Sequence, residues 1–126
     1  MADPADLANA TLIVDGYPIV VRVAGRRVLV VGGGVIALPK TQGLLASGAS
    51  VTVVSPEFVD GFATLDVARV ERRYESADLD GAWLVVAATN DAAVQQQIFD
   101  ECEARGVFCN AVDDPDRCSF VLPAVE

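Results

Sequence analysis

The 126 residues suffice for one domain around one core and leave little room for a separate catalytic module. Apolar residues make up 52% and charged residues 21%, which excludes wholesale disorder. Nine Lys plus Arg against eighteen Asp plus Glu give a net charge of -9, which repels phosphate backbones and anionic membrane surfaces, so neither nucleic acid nor membrane is expected as a partner.

No apolar run approaches the roughly 20 residues of a membrane span. The first six residues carry Asp3 and Asp6 where a signal peptide carries positive charge, so a cytoplasmic location is expected. Histidine is absent and Cys102, Cys109 and Cys118 form no CxxC pair. No metal site is therefore expected, and the thiols should be reduced and mostly buried.

In chain order, residues 1–11 lack periodicity and are expected to form a loose leader. The β-branched residues from Tyr17 to Val23 predict a short strand. Val28 to Val31 is a continuous apolar run before three glycines, as in a strand buried on both faces of a parallel sheet. A helix is expected over about 34–47, stopped by Gly48 as a left-handed cap, with Pro39 tending to kink it and Gly43 weakening it. Val51 to Val54 predicts a second buried strand, Glu57 to Asp66 a short helix or loop, and Ala68 to Tyr74 an exposed strand with Arg69, Arg72 and Arg73 in solvent. Trp83 to Ala87 predicts a central strand, with Trp83 as a core or subunit-contact residue. A helix over 92–105 follows, capped by Thr89-Asn90-Asp91 and stopped by Gly106. Val107 to Val112 reads as a strand and Phe120 to Leu122 as one more. Strands alternating with helices predict an α/β, Rossmann-like, doubly wound and mostly parallel sheet in a single domain over 12–126.

The first strand runs into Gly32-Gly33-Gly34-Val35-Ile36-Ala37, a G-x-G-x-x-A pattern. One glycine permits the sharp turn, another lets the backbone touch a pyrophosphate, and the small last residue lets helix and strand pack closely. Helix N-terminal amides then face the phosphates. The alternative is a tight turn with no ligand. The position closing the second strand, usually an acid that bonds the ribose, is Ser55, with Glu57 two residues on. No arginine follows immediately to meet a 2′-phosphate, which favours NAD over NADP. Thr89 and Asn90 stand at a strand's carboxyl end, as a helix cap or as further cofactor contacts. Asn110-Ala111-Val112-Asp113-Asp114-Pro115 falls at another such end, where adjacent carboxylates can raise a pKa toward that of a proton acceptor, or simply form an acidic turn. Cys118 has no histidine to activate it as a nucleophile.

Together these stretches resemble the precorrin-2 dehydrogenase family, the cofactor-binding part of siroheme synthases. The matching segments are Tyr17-Pro18-Ile19, Val28 to Ala37 with Lys40, Gly48-Ala49 with Val51 to Glu57, Leu79 to Asp91, and Asn110 to Ala124 with Cys118-Ser119-Phe120. The resemblance implies NAD-dependent oxidation of precorrin-2 to sirohydrochlorin on the route to siroheme. For many members it also implies insertion of ferrous iron, as a substrate, in the same cleft. Carried over by motif, Gly32, Gly33, Gly34, Val35 and Ile36 with Pro56 and Glu57 hold NAD. Asp113 takes the place of the family's proposed catalytic aspartate, and Asn110 that of a nearby polar contact. Arg117 is the nearest cation for the carboxylates of the tetrapyrrole. The family adds a dimerisation region and a helical region that complete the substrate cleft, and these are expected to be needed for turnover and for a homodimer. The rival reading is a non-catalytic NAD(H)-sensing module, which has no need of Asp113. A third is a dehydrogenase for another small substrate.

Overall fold

The computed structural model describes residues 15–112 and 114–122. Five strands form one sheet: β1 (Arg27–Val31), β2 (Ser50–Val54), β3 (Ala68–Val70), β4 (Leu84–Ala87) and β5 (Phe108–Ala111). Their order is β3-β2-β1-β4-β5, and every neighbouring pair is parallel. Chain order reverses between β1 and β4, the switch point at whose carboxyl side such sheets bind ligands. The unbroken apolar runs of β1, β2 and β4 have a direct cause, since both faces of the sheet are covered. Val28, Val30, Val51, Val53, Leu84 and Val86 share one core with Ala37 of helix α1 (Ala37–Ala46) and with Phe62. The alternate residues Leu29, Val31, Val85 and Ala87 share another with Ile98 and Cys102 of helix α2 (Ala92–Arg105). Period-two alternation thus sends one strand's side chains into two cores.

Helix α2 occupies the expected residues. Asp91 caps it by accepting from the amides of Ala93 and Val94, and Gly106 ends it in the left-handed region at φ 69°. Helix α1 begins at Ala37, later than expected, because residues 32–36 are spent on the turn. That shift removes the expected kink. Pro39 falls in the first helical turn, where its missing N–H has no intrahelical acceptor to lose.

Other expectations are overturned. Residues 17–23 pair with no strand among the described residues. β1 already bonds β2 and β4 on its two sides, so the β-branched character of this arm serves burial of Val21 and Val23 against the α1 core. β3 stops at Val70, whose carbonyl accepts from Arg72 N in a turn. Phe120 to Leu122 forms no strand, because Ser119 occupies the β5 edge: its hydroxyl accepts from Cys109 N at 2.6 Å and its amide donates to Cys109 O at 2.8 Å. Trp83 precedes β4 and is 46% exposed, with the Arg26 guanidinium 4.1 Å above its ring, so it is not a core residue. Cys102 and Cys109 are buried and Cys118 half-buried, all as free thiols. The expected leader, 1–11, lies outside the described residues. Among these, no helix is long and apolar enough to cross a membrane.

An added Cβ at Gly43 in α1 meets nothing within 4 Å. Gly43→Ala should therefore stabilise the domain by about 1 kcal/mol through helix propensity and a less flexible unfolded chain, read as a higher urea midpoint.

Candidate functional site: a glycine turn and its cleft

The glycine turn leaves β1 at the switch point. Gly32 adopts φ 124°, and a Cβ there would lie 2.5 Å from Ala88 O, so the turn closes only because the position carries no side chain. Gly33 is pressed from the other side: its Cβ would stand 2.3 Å from Glu57 O, and its carbonyl accepts from Val59 N at 2.8 Å. Gly34 differs, being exposed with open space where a Cβ would be. Val35 and Ile36 are 71% and 51% exposed. Among the described residues, the amides of Gly34, Val35 and Ile36 have no backbone acceptor, and the first turn of α1 holds no acidic side chain. Free N–H groups at the positive end of a helix, beside an open Gly34, fit a diphosphate. Gly32 and Gly33 thus build the cradle, whereas Gly34, Val35 and Ile36 face its opening.

A cleft runs from Gly32 along the carboxyl ends of β1, β2 and β4, between Pro56 and Ser55 on one side and Thr89 and Asp91 on the other. Ser55 is buried, and its hydroxyl donates to Glu57 O at 2.6 Å, shaping the exit from β2. Pro56 and Glu57 are exposed. The Thr89 hydroxyl accepts from Asp91 N, and Asn90 is exposed. This connection is fastened by a residue the sequence reading missed. Gln95 is buried in α2, donating to Ala87 O at 3.1 Å and accepting from Thr89 N at 3.2 Å. Its only sequence signal is an amide on the face shared by Val94 and Ile98.

The outer wall of the cleft is a strap after β3, also missed, with Arg73 and Tyr74 lining it. Arg72 is not a solvated strand residue, since its guanidinium binds Asp78 with two nitrogens, at 2.9 and 2.7 Å. Burial opposes ionisation of Asp78, but Arg72 and the Glu75 amide outweigh it and hold the carboxyl below its usual value. Tyr74 donates to Glu101 Oε1 at 2.6 Å, and Ser76 donates to Oε2. Burial disfavours the charged Glu101, yet these two hydroxyls win and keep it below the usual range. Burial and the bond to Glu101 push the Tyr74 hydroxyl upward.

At the end of β5, Asn110 is buried, with its amide donating to Phe120 O at 3.0 Å. Arg117 is tied to Asp114 and donates to Gln96 Oε1 at 2.5 Å. Both therefore hold the segment after β5 in place. The Cys118 thiol donates to Ala111 O and Asp114 O, and burial pushes its pKa up, which keeps it protonated. Asp113 lies outside the described residues.

An all-parallel sheet with a glycine turn at its switch point defines an α/β domain of the Rossmann type, an architecture that carries dinucleotide sites at this point. A family model described as "Putative NAD(P)-binding" matches residues 19–124. The chain is 40% identical over 119 residues to a siroheme synthase of Citrobacter koseri, covering 88% of this chain and 25% of that protein. It is 45% identical over 112 residues to a siroheme synthase of Methylobacillus flagellatus, covering 86% and 24%. A solved structure titled "SirC, precorrin-2 dehydrogenase" superposes with a TM-score of 0.69 at 28% identity, covering 88% of this chain and 54% of that one. The chain belongs to this NAD(P)-binding family, in the branch formed by siroheme synthases and precorrin-2 dehydrogenases. It spans about a quarter of the length of the siroheme synthases it matches.

Two neighbouring glycines should separate folding from binding. Gly33→Ala forces the Glu57 carbonyl to move and should cost about 1–3 kcal/mol in unfolding. Gly34→Ala should leave the unfolding midpoint nearly unchanged but weaken NAD+ binding by about tenfold or more, or ~1.4 kcal/mol, in titration calorimetry. Because Asp78 has a depressed folded-state pKa, its pair stabilises the domain above the ordinary aspartate pKa, and this is lost as pH falls through the folded value. The stability gap between wild type and Asp78→Asn should accordingly be widest near neutral pH and close in acid.

Proposed function

We propose that this chain is the cofactor-binding domain for NAD-dependent oxidation of precorrin-2 to sirohydrochlorin in siroheme biosynthesis. The observation that supports the reading best is the open Gly34 beside the amides of Val35 and Ile36, which have no backbone acceptor among the described residues, at the switch point of a parallel sheet. In this reading the amides of residues 34–36 hold the diphosphate, and Ser55, Pro56 and Glu57 line the ribose side. Thr89 and Asn90 approach from the β4 exit. Bound NAD+ supplies the hydride acceptor.

Asp113 is assigned the role of accepting a proton from the macrocycle as hydride leaves, because by motif it takes the place of the family's proposed catalytic aspartate, two positions in sequence after β5 ends at Ala111. Asn110 and Arg117 are assigned to the substrate side. Both are engaged within the chain, Asn110 with Phe120 and Arg117 with Asp114, so Arg117 would need to exchange Asp114 for a substrate carboxylate. Ferrous iron is a further substrate in this reading, inserted into sirohydrochlorin in the same cleft, and the working form is a homodimer completed by the rest of a siroheme synthase.

The test uses a siroheme synthase in which this segment replaces the corresponding one. Incubation with precorrin-2 should give NAD+-dependent sirohydrochlorin absorbance. Asp113→Ala in that protein should lower turnover by about 10²–10⁴-fold, the range of general-base catalysis, while NAD+ affinity stays within error. Full turnover in the variant removes Asp113 from the reaction, and no heat with NAD+ in the unmodified chain removes the dinucleotide reading.

A further inference from the structure

In the strap after β3, Arg72 and Tyr74 are both tied inward, to Asp78 and to Glu101. The strap's backbone is held as well, because Arg72 also donates to Arg73 O at 2.9 Å. Arg73 stands between these anchors with its side chain 82% exposed, and its guanidinium lies 3.7 Å from Asp91 Oδ2. Asp91 is itself immobilised, since its other oxygen caps α2 through Ala93 N and Val94 N. The Arg73–Asp91 pair therefore bridges the strap and the first turn of α2 at the rim of the cleft. Below it the walls are Val54, Pro56, Val94 and the Tyr74 ring, and the glycine turn borders the same cleft through Gly32. Apolar walls with one aromatic ring match a flat, uncharged heterocycle better than a sugar or a phosphate.

In the dinucleotide reading this slot takes the purine, and we infer that Arg73 is a positioning residue whose guanidinium, steered by Asp91, closes over the base as a stacking lid. The inference rests on the dinucleotide reading of the glycine turn. A planar guanidinium stacks favourably on an aromatic face, and more so where water is excluded. Asp91 has a second task beyond capping: it draws Arg73 across the opening instead of leaving it extended in solvent. Tyr74, fixed through Glu101, gives the slot a rigid wall before any ligand enters.

Calorimetry on the full chain separates the possibilities. Arg73→Ala should weaken NAD+ and ADP-ribose by the same factor, about tenfold, with no change in unfolding midpoint. Arg73→Lys, which keeps the charge but not the plane, should recover only part. Asp91→Asn retains a capping side chain and should lose less than Arg73→Ala. If wild type binds both ligands and Arg73→Ala binds them equally well, the lid is overturned while the dinucleotide reading stands. If Arg73→Ala loses NADP+ alone, the guanidinium reads a 2′-phosphate and the lid is again overturned. If wild type binds neither NAD+ nor ADP-ribose, the dinucleotide reading itself falls.

Discussion

Main chain packed against main chain is the constraint on which this domain depends. At Gly32 the turn passes against the carbonyl of Ala88, and at Gly33 against the carbonyl of Glu57, each too close for a Cβ. These contacts draw the exits of β1, β2 and β4 together at the switch point. They also decide where α1 begins, and so which amides remain without acceptors. Both the open cradle at residues 34–36 and the cleft beside it follow from that approach of three chain segments.

The electrostatics follow a similar economy. In the proposed reading, a chain of net charge -9 that takes up an anionic dinucleotide needs local positive potential. Several arginines are committed elsewhere: Arg72 to Asp78, Arg105 to Asp80, Arg117 to Asp114, and Arg26 over Trp83. Backbone N–H groups at the start of α1 supply the potential instead, and they do so without moving a flexible charged side chain. Two acidic residues near the cleft are engaged by specific partners. Asp91 serves as a helix cap and an ion-pair partner, and Glu101 takes two hydroxyl donors.

Legibility differed with the range of the interaction that defines each feature. The glycine turn was readable because the close approach it makes has a residue signature. That signature did not distinguish glycines that build the turn from the one that faces its opening, since the difference lies in Glu57 and Ala88, far along the chain. Asp91 as a cap was readable from its place before an apolar-periodic run, and the extra bond to Arg73 was not. Gln95, Arg73 and Tyr74 carry no local motif; only the folding of the strap over the sheet brings the last two to the cleft. The position of Ser55 at the end of β2 is legible in the sequence, whereas the bond its hydroxyl donates to Glu57 O is not.

The amino-acid sequence by itself determined the α/β class, the parallel character of the sheet, the extent of α2 and the place of the glycine turn. Each of these rests on periodicity, a doubly buried apolar run or a glycine requirement that a few consecutive residues express. Tertiary structure decided that residues 17–23 and 120–122 are not strands, because strand formation needs a free edge and β1 and β5 offer none to them. It likewise decided which arginine lies at the cleft, since placement of a long charged side chain depends on partners far along the chain.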